Sequence, residues 1–504
     1  MNIIEVNTAD KYKKYTDEET FNKIVEYPSI SSMWQNCLKE YSDLAAIEDN
    51  GSSYTYKDIE KSAAKMRAKI LDITKGEKRR IAILAPNSYS FVAGFIAIVT
   101  TGCAAIILPA HLDERSVFGC CMKYGAAALL FAKESEEKTS IAASKIQTVL
   151  ISEEYEAEAE AVEVNPEDEC VLMFTSGTTG KSKAAILNNR AVMLGTVNGC
   201  YGYKDVFNQR YILVLPLSHV FGLIRNLMTS LYTGSDLLIC RDNKNMFRDI
   251  AVFKPTILVA VPALVEMSLT LSRQFNKNML GADMKTIICG AAAVAPYLIK
   301  EYDKYGIRVC PGYGLTESAN LVSGNPEGLT KSESVGIPYP HQKFQIVDGE
   351  LWIKGDNMMN GYADDDAENP YEDGWFKTGD LVRFDEDGFL YITGRCKEII
   401  VLSNGENVSP QELEAAFNRL PFIQDSQVYE DVLESGEHIL ALEVVPRKAE
   451  LKDIPSDEQE AFIIEELKKV NREALPYQRV SRIIVRDSDF ERSPSMKIVR
   501  YKKC

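Results

Sequence analysis

No CxxC pair occurs in the 504 residues, although eleven of them are cysteine. The number is odd and only Cys120 and Cys121 are adjacent, which indicates neither a zinc ribbon nor a dithiol redox motif. Reduced thiols in a cytoplasmic protein are the economical reading. Basic residues are also in short supply: 57 Lys and Arg face 73 Asp and Glu, for a net charge of −16. Gripping nucleic acid or an anionic membrane calls for a basic face, so neither is expected as the main task. A small anionic ligand needs only a locally positive pocket and stays open. The N-terminal residues lack the basic, apolar and small-residue succession of a signal peptide. Internal repeats and low-complexity linkers are missing too.

What is present is a chain of 45% hydrophobic and 26% charged residues, enough for a large buried core. At roughly 150 residues per domain it holds two or three units. Residues Ile81 to Ala110 carry no charge, yet Pro86, Asn87, Gly94, Gly102 and Pro109 interrupt them. The pattern predicts strand, helix and strand buried in a parallel sheet, with no integral membrane segment. Tyr54–Thr74 has helical spacing. Lys133–Glu169, charged and rich in Ala and Glu, reads as a solvated helix and linker with a short apolar interruption. Apolar runs at YILVLPL, TILVAVP, TIICG and LWIKG alternate with helical segments, as in sheets covered by helices. After Gly394 the character changes, and about 110 residues read as a small α+β domain.

The most informative segment is VLMFTSGTTGKSKAAIL. A buried strand, Val171 to Phe174, runs into Thr175, Ser176, Gly177, Thr178, Thr179, Gly180, Lys181, Ser182 and Lys183. Hydroxyls, glycines and lysines packed together suit a loop that wraps a polyphosphate. Gly180-Lys181-Ser182 mimics the end of a Walker A motif, but that motif needs glycine where Thr175 stands. The loop instead resembles the phosphate loop of the adenylate-forming superfamily, [YF]-T-S-G-[ST]-T-G-x-P-K-G. Lys183 takes the final lysine position, and Ser182 and Ala184 replace the usual Pro and Gly.

Further motifs follow in that family's order over roughly 330 residues. The resemblance implies an α/β fold: a large multi-subdomain N-terminal region with mixed and parallel sheets, 1–395, plus a small mobile α+β cap, 396–504. It implies that His219 of LPLSHVFGL lies near the acyl pocket, and that Gly290, Ala291 and Ala292 lie beside adenine. In PGYGLTESA it places Tyr313 against adenine beside Gly314, Thr316 near the α-phosphate and Glu317 on Mg²⁺, a fitting hard-oxygen ligand. Asp380 of GWFKTGD would accept the ribose hydroxyls, and Arg395 would bind ribose or phosphate. Lys397 would stand at the hinge, and the Gly405 loop would line the pantetheine channel. Lys497 of KIVR would bridge the substrate carboxylate and the α-phosphate.

The implied reaction is ATP-dependent activation of a carboxylic acid, then transfer to the thiol of coenzyme A, an acyl-CoA synthetase activity of fatty acid metabolism. The sequence IVLSNGENVSPQELE looks more like fatty acyl-CoA synthetases than amino-acid adenylation domains. Acetate-specific relatives carry Trp where this chain has Gly314, which favours a medium or long chain; long-chain relatives are often longer than this chain, so a shorter or aromatic acid stays open. One alternative is loading onto a separate phosphopantetheinyl carrier protein. Another is a non-catalytic nucleotide-binding regulator, against which Glu317, Asp380 and Lys497 are all retained. Lys181, Lys183, Arg395, Lys397 and Lys497 would supply the local positive charge.

Overall fold

The uncharged run forms strand Arg80–Leu84, helix Tyr89–Val99 and strand Ala104–Leu108, and the two strands pair in parallel. Ser88 starts the helix by accepting the amide of Phe91. Phe91, Phe95 and Ile96 are buried, each contributing roughly 1.5–3 kcal/mol. Among the described residues no helix is long and apolar enough to cross a membrane. The computed structural model describes residues 3–5, 8–175, 183–402, 407–433, 438–492 and 498–500.

Three sheets build the large region. In the first, five parallel strands, Gln147–Leu150, Ala126–Phe131, Arg80–Leu84, Ala104–Leu108 and Glu169–Thr175, end in an antiparallel partner, Lys183–Asn188. The second has a parallel centre of Arg308–Tyr313, Thr286–Cys289, Ile257–Ala260, Arg210–Leu213, Asp236–Ile239 and Ala45–Asp49. Three of them, Arg210–Leu213, Ile257–Ala260 and Thr286–Cys289, are apolar runs of the sequence and are buried almost throughout, as central parallel strands must be, whereas the run LWIKG falls in the third sheet. The third is antiparallel and includes Gln342–Val347, Glu350–Gly355, Trp375–Phe384 and Leu390–Arg395. Helix Tyr56–Thr74 falls where its spacing predicts, with Thr55 and Asp58 forming a capping box, an arrangement worth about 1 kcal/mol.

One expectation fails. Lys133–Glu169 holds no long helix: a turn at Lys133–Lys138 and a short helix, Ser140–Ala143, lead into edge strand Gln147–Leu150. The apolar interruption is therefore a strand. Beyond it the acidic chain runs irregularly, pinned by Ala159 N to Ala64 O at 3.0 Å and Val162 N to Thr100 O at 2.9 Å. Tertiary backbone bonds replace those of a helix.

The C-terminal part has its own core, with Val408, Leu413, Phe417, Leu442, Ile463 and Leu467 among its buried residues. It combines helices Pro410–Phe417 and Gln459–Glu473 with strands Ile423–Val432, His438–Pro446 and Arg482–Val485, the α+β composition expected there. Arg447 joins it to the large region. Its Nε donates to Glu266 Oε1 at 2.8 Å, and its guanidinium lies 3.9 Å from the Tyr297 ring centre.

Candidate active site

Because the central strands of the second sheet are parallel, their carboxyl ends open on one edge, where such sheets bind ligands. Three of the expected segments leave from that edge. His219 follows strand Arg210–Leu213; Gly290, Ala291 and Ala292 follow Thr286–Cys289; Gly314, Thr316 and Glu317 follow Arg308–Tyr313. Ala291 sits at φ +67°, in the left-handed region, which costs a non-glycine residue roughly 1–2 kcal/mol. Such strain gathers at ligand sites. A Cβ on Gly290 would meet Gly312 O at 3.2 Å and Phe221 Cζ at 3.5 Å, so these turns pack closely together.

Asp380 is the hub on the facing sheet. It is 3% exposed; Tyr313 donates its hydroxyl to Oδ2 at 2.5 Å, and Arg395 Nε donates to Oδ1 at 2.6 Å. Strand register explains the second contact, since Asp380 and Arg395 are direct antiparallel partners. Burial pushes the Tyr313 phenol well up, and the Asp380 carboxylate pushes it further. Burial opposes the Arg395 charge, but Asp380 outweighs it and holds the guanidinium protonated. Tyr313, Asp380 and Arg395 are thus brought together as one group.

A second group forms around Glu317. Tyr362 donates its hydroxyl to Glu317 Oε1 at 2.7 Å, and the Lys183 ammonium lies 4.9 Å from the Tyr362 ring centre. Burial and then Glu317 raise the Tyr362 phenol, so it stays a donor. Next along the chain, Asp364 accepts the Ala184 amide at 2.7 Å and the Tyr124 hydroxyl at 3.0 Å, and pairs with Lys123. Those bonds fix the base of the hairpin in which Thr175 pairs with Lys183. Tyr362 and Asp364 escaped the sequence reading, because neither lies in a recognisable motif. Among the described residues no group of three or more His, Cys, Asp or Glu could hold a metal. Glu317 alone fits Mg²⁺ all the same, since that ion takes one or two carboxylates and completes its shell with phosphate oxygens and water.

The His219 turn is braced by Asn87, which donates to Leu215 O and accepts the Leu217 amide, both at 2.9 Å. Asn87 was visible only as an interruption in the uncharged run. Thr316 lies in the turn Thr316–Ser318, and Ser318 Oγ, accepting the Leu315 amide at 3.1 Å, fixes that turn. Lys397 is exposed in the turn Cys396–Glu398. Gly314 needs a correction. A Cβ there would stand 1.2 Å from Asn320 O. Glycine is required because the chain packs on its own backbone, and that direction offers no room for an acyl chain.

Ser176, Gly177, Thr178, Thr179, Gly180, Lys181, Ser182, Gly405 and Lys497 lie outside the described residues. Just beyond Lys497, Arg500 grips Glu414 through Nη1 at 2.9 Å and Nη2 at 2.5 Å, and Glu398 through Nε at 3.0 Å. This links KIVR to the QELE segment.

Residues 34–363 match the family model of the AMP-binding enzyme, and 397–503 match the AMP-binding enzyme C-terminal domain. The chain belongs to the AMP-binding enzyme family. Within that adenylate-forming superfamily it stands on the AMP-forming acid–thiol ligase branch. It is similar to 4-coumarate–CoA ligase-like 6 of Arabidopsis thaliana, 26% identical over 94% of this chain and 89% of that one. It is also similar to a long-chain-fatty-acid–CoA ligase of Yersinia pestis, 27% identical over 77% and 80% respectively. The solved structure of the anthranilate CoA ligase AuaEII with anthranoyl-AMP superposes with a TM-score of 0.81 at 19% identity, covering 94% of this chain and 96% of that one.

Proposed function

We propose that the protein activates a carboxylic acid with ATP, giving an acyl-adenylate and pyrophosphate, and then transfers the acyl group to the thiol of coenzyme A with release of AMP. The observation that carries this reading is the meeting of two groups at one sheet edge. Tyr313, Asp380 and Arg395 suit a nucleoside; Glu317, Tyr362 and Lys183 suit its phosphates.

A carboxylate is a poor electrophile because its oxygens share the charge. Attack of one oxygen on the α-phosphorus, with pyrophosphate leaving, creates a mixed anhydride that a thiol can open. In this reading Asp380 accepts the ribose hydroxyls while Tyr313 and Arg395 hold its carboxylate in place. Tyr362 fixes the orientation of Glu317. A magnesium ion held there would neutralise phosphate charge. Thr316 lies toward the α-phosphate, the loop from Thr175 to Lys183 surrounds the outer phosphates, and Lys497 offsets charge as the carboxylate attacks. His219, braced through its turn by Asn87, borders the acyl side. Gly290, Ala291 and Ala292 flank the adenine. The division at 395/396, a hinge at Lys397, the Gly405 loop along the thiol's path and a cytoplasmic location belong to the same reading.

Medium- and long-chain fatty acids fit the resemblance of the small-domain sequence, but the Gly314 argument for them loses its physical basis. Acid-dependent ATP–pyrophosphate exchange, followed by thioester formation on coenzyme A or on a phosphopantetheinyl carrier, tests the proposal. Acyl-CoA is expected. Exchange with no acid across a broad panel would overturn the reading, and thioester on the carrier alone would move the acceptor.

A further inference from the structure

Arg225 is a buried cation with no carboxylate beside it among the described residues. It lies in the π-helical segment Phe221–Met228 and is 1% exposed. Neither Nη1 nor Nη2 meets an acceptor in good hydrogen-bond geometry, although the Tyr203 and Tyr211 phenols face the guanidinium. The groups that hold its charge are tyrosines, namely Tyr203, Tyr211 and Tyr339, with no carboxylate among them. The Tyr203 ring centre is 5.4 Å from the guanidinium carbon. The Tyr211 hydroxyl is buried facing the guanidinium, and both side-chain amide atoms of Asn198, the last residue of the helix Asn189–Asn198 that packs on this segment, are buried without a partner among the described residues. Aromatic rings offset only part of the cost of desolvating a guanidinium, and the remainder calls for an anion. A planar fork of N–H donors beside phenol groups is the chemistry that receives a carboxylate.

Its place in the fold says which carboxylate. The segment begins two residues after His219, and Phe221, one turn before Arg225, is the ring that a Cβ on Gly290 would touch at 3.5 Å. Arg225 also shares its surroundings with Cys310, on the strand that delivers Tyr313 to the site. The guanidinium therefore sits behind the turn assigned to the acyl side, whereas Lys183 and Glu317 form the phosphate side. We propose that Arg225 determines specificity by receiving a second carboxylate at the far end of the acid, so that the substrate class is a dicarboxylic acid activated at one end. This rests on the acid-activating reading of the site.

The test is acid-dependent ATP–pyrophosphate exchange with mono- and dicarboxylic acids matched in length, aliphatic and aromatic, on the wild type, Arg225→Met and Arg225→Lys. The wild type should show kcat/KM about tenfold or more higher for the dicarboxylic member of a matched pair, in line with a site built around one charged partner. Arg225→Met should lose that preference mainly through KM, and Arg225→Lys should recover part of it. A wild-type preference for monocarboxylic acids, or a preference unchanged in Arg225→Met, would overturn the inference and leave Arg225 a structural hub of stacked tyrosines. No exchange with any acid would instead sink the acid-activating reading. Should Arg225→Met fail to fold, Tyr211→Phe and the wild-type preference decide the question in the same way.

Discussion

Tyr313 and Asp380 stand 67 residues apart in the chain and meet through a 2.5 Å hydrogen bond. With Arg395 on its other oxygen, Asp380 arrives at the site already oriented. Two sheets are thereby tied together at the point where the nucleoside is expected.

Asp380→Asn keeps the shape of the side chain and removes the charge. The Arg395 guanidinium then loses its anion, and a bidentate acceptor for ribose becomes half donor. KM for ATP should rise about tenfold or more, equivalent to about 1.4 kcal/mol, and Tm should fall. Initial-rate kinetics with varied ATP check this. An unchanged KM would remove Asp380 from the nucleotide site.

Lys497→Ala should abolish acyl-adenylate formation and retain thioester synthesis from supplied acyl-AMP. The lysine is assigned only to the step in which negative charge crowds the α-phosphate. Both half-reactions can be followed separately by pyrophosphate release and by acyl-CoA formation. Equal loss of the two would show that Lys497 acts elsewhere.

Arg447→Ala should loosen the docking of the C-terminal part. Glu266 lies where burial raises its carboxyl and Arg447 opposes that rise, so removing the cation strands a nearly buried acid. Breaking such a pair costs about 3 kcal/mol. Limited proteolysis should cut faster between the two parts, and the ratio of the two half-reactions should change. Identical digestion kinetics in the variant would mean that other contacts hold the interface.

The Glu26–His341 pair, 2.7 Å apart, gives a pH signature. Its hydrogen bond to Glu26 raises His341 above 6.5, and the same bond holds Glu26 below 4.5. Stability from His341 is therefore full below its unfolded pKa and lost as pH rises through the folded one. That from Glu26 is full above its unfolded pKa and lost as pH falls through the folded one. The pair should help most between about pH 4.5 and 6.5. Both side chains are partly exposed, so the effect is small. The Tm difference between wild type and His341→Gln should peak in that window and shrink toward pH 8; a difference flat across pH would exclude the pair.

Local pattern made much of the frame readable. Apolar runs and their punctuation marked Arg80–Leu84, Tyr89–Val99 and Ala104–Leu108, because burial on both sides leaves few ways to compose a strand. Composition misled at Lys133–Glu169, where acidic residues with helical preferences are held in an irregular path by the distant carbonyls of Ala64 and Thr100. At the site, motif residues were visible, but their couplings were not. Nothing near Tyr362 announces Glu317, 45 residues earlier. Nothing near Arg225 shows that its guanidinium ends in a ring of tyrosines. Gly314 shows the opposite error: a small residue suggested space, and the missing side chain was in fact displaced by Asn320 O.

Arg500 carries a mechanical consequence. Its guanidinium reaches Glu398, in the turn Cys396–Glu398, and Glu414, on the helix Pro410–Phe417. One side chain thus ties Arg500 to both the turn and the helix. Under the proposed hinge at Lys397, the residues that follow Lys497 are expected to travel with that turn and with the helix as one piece.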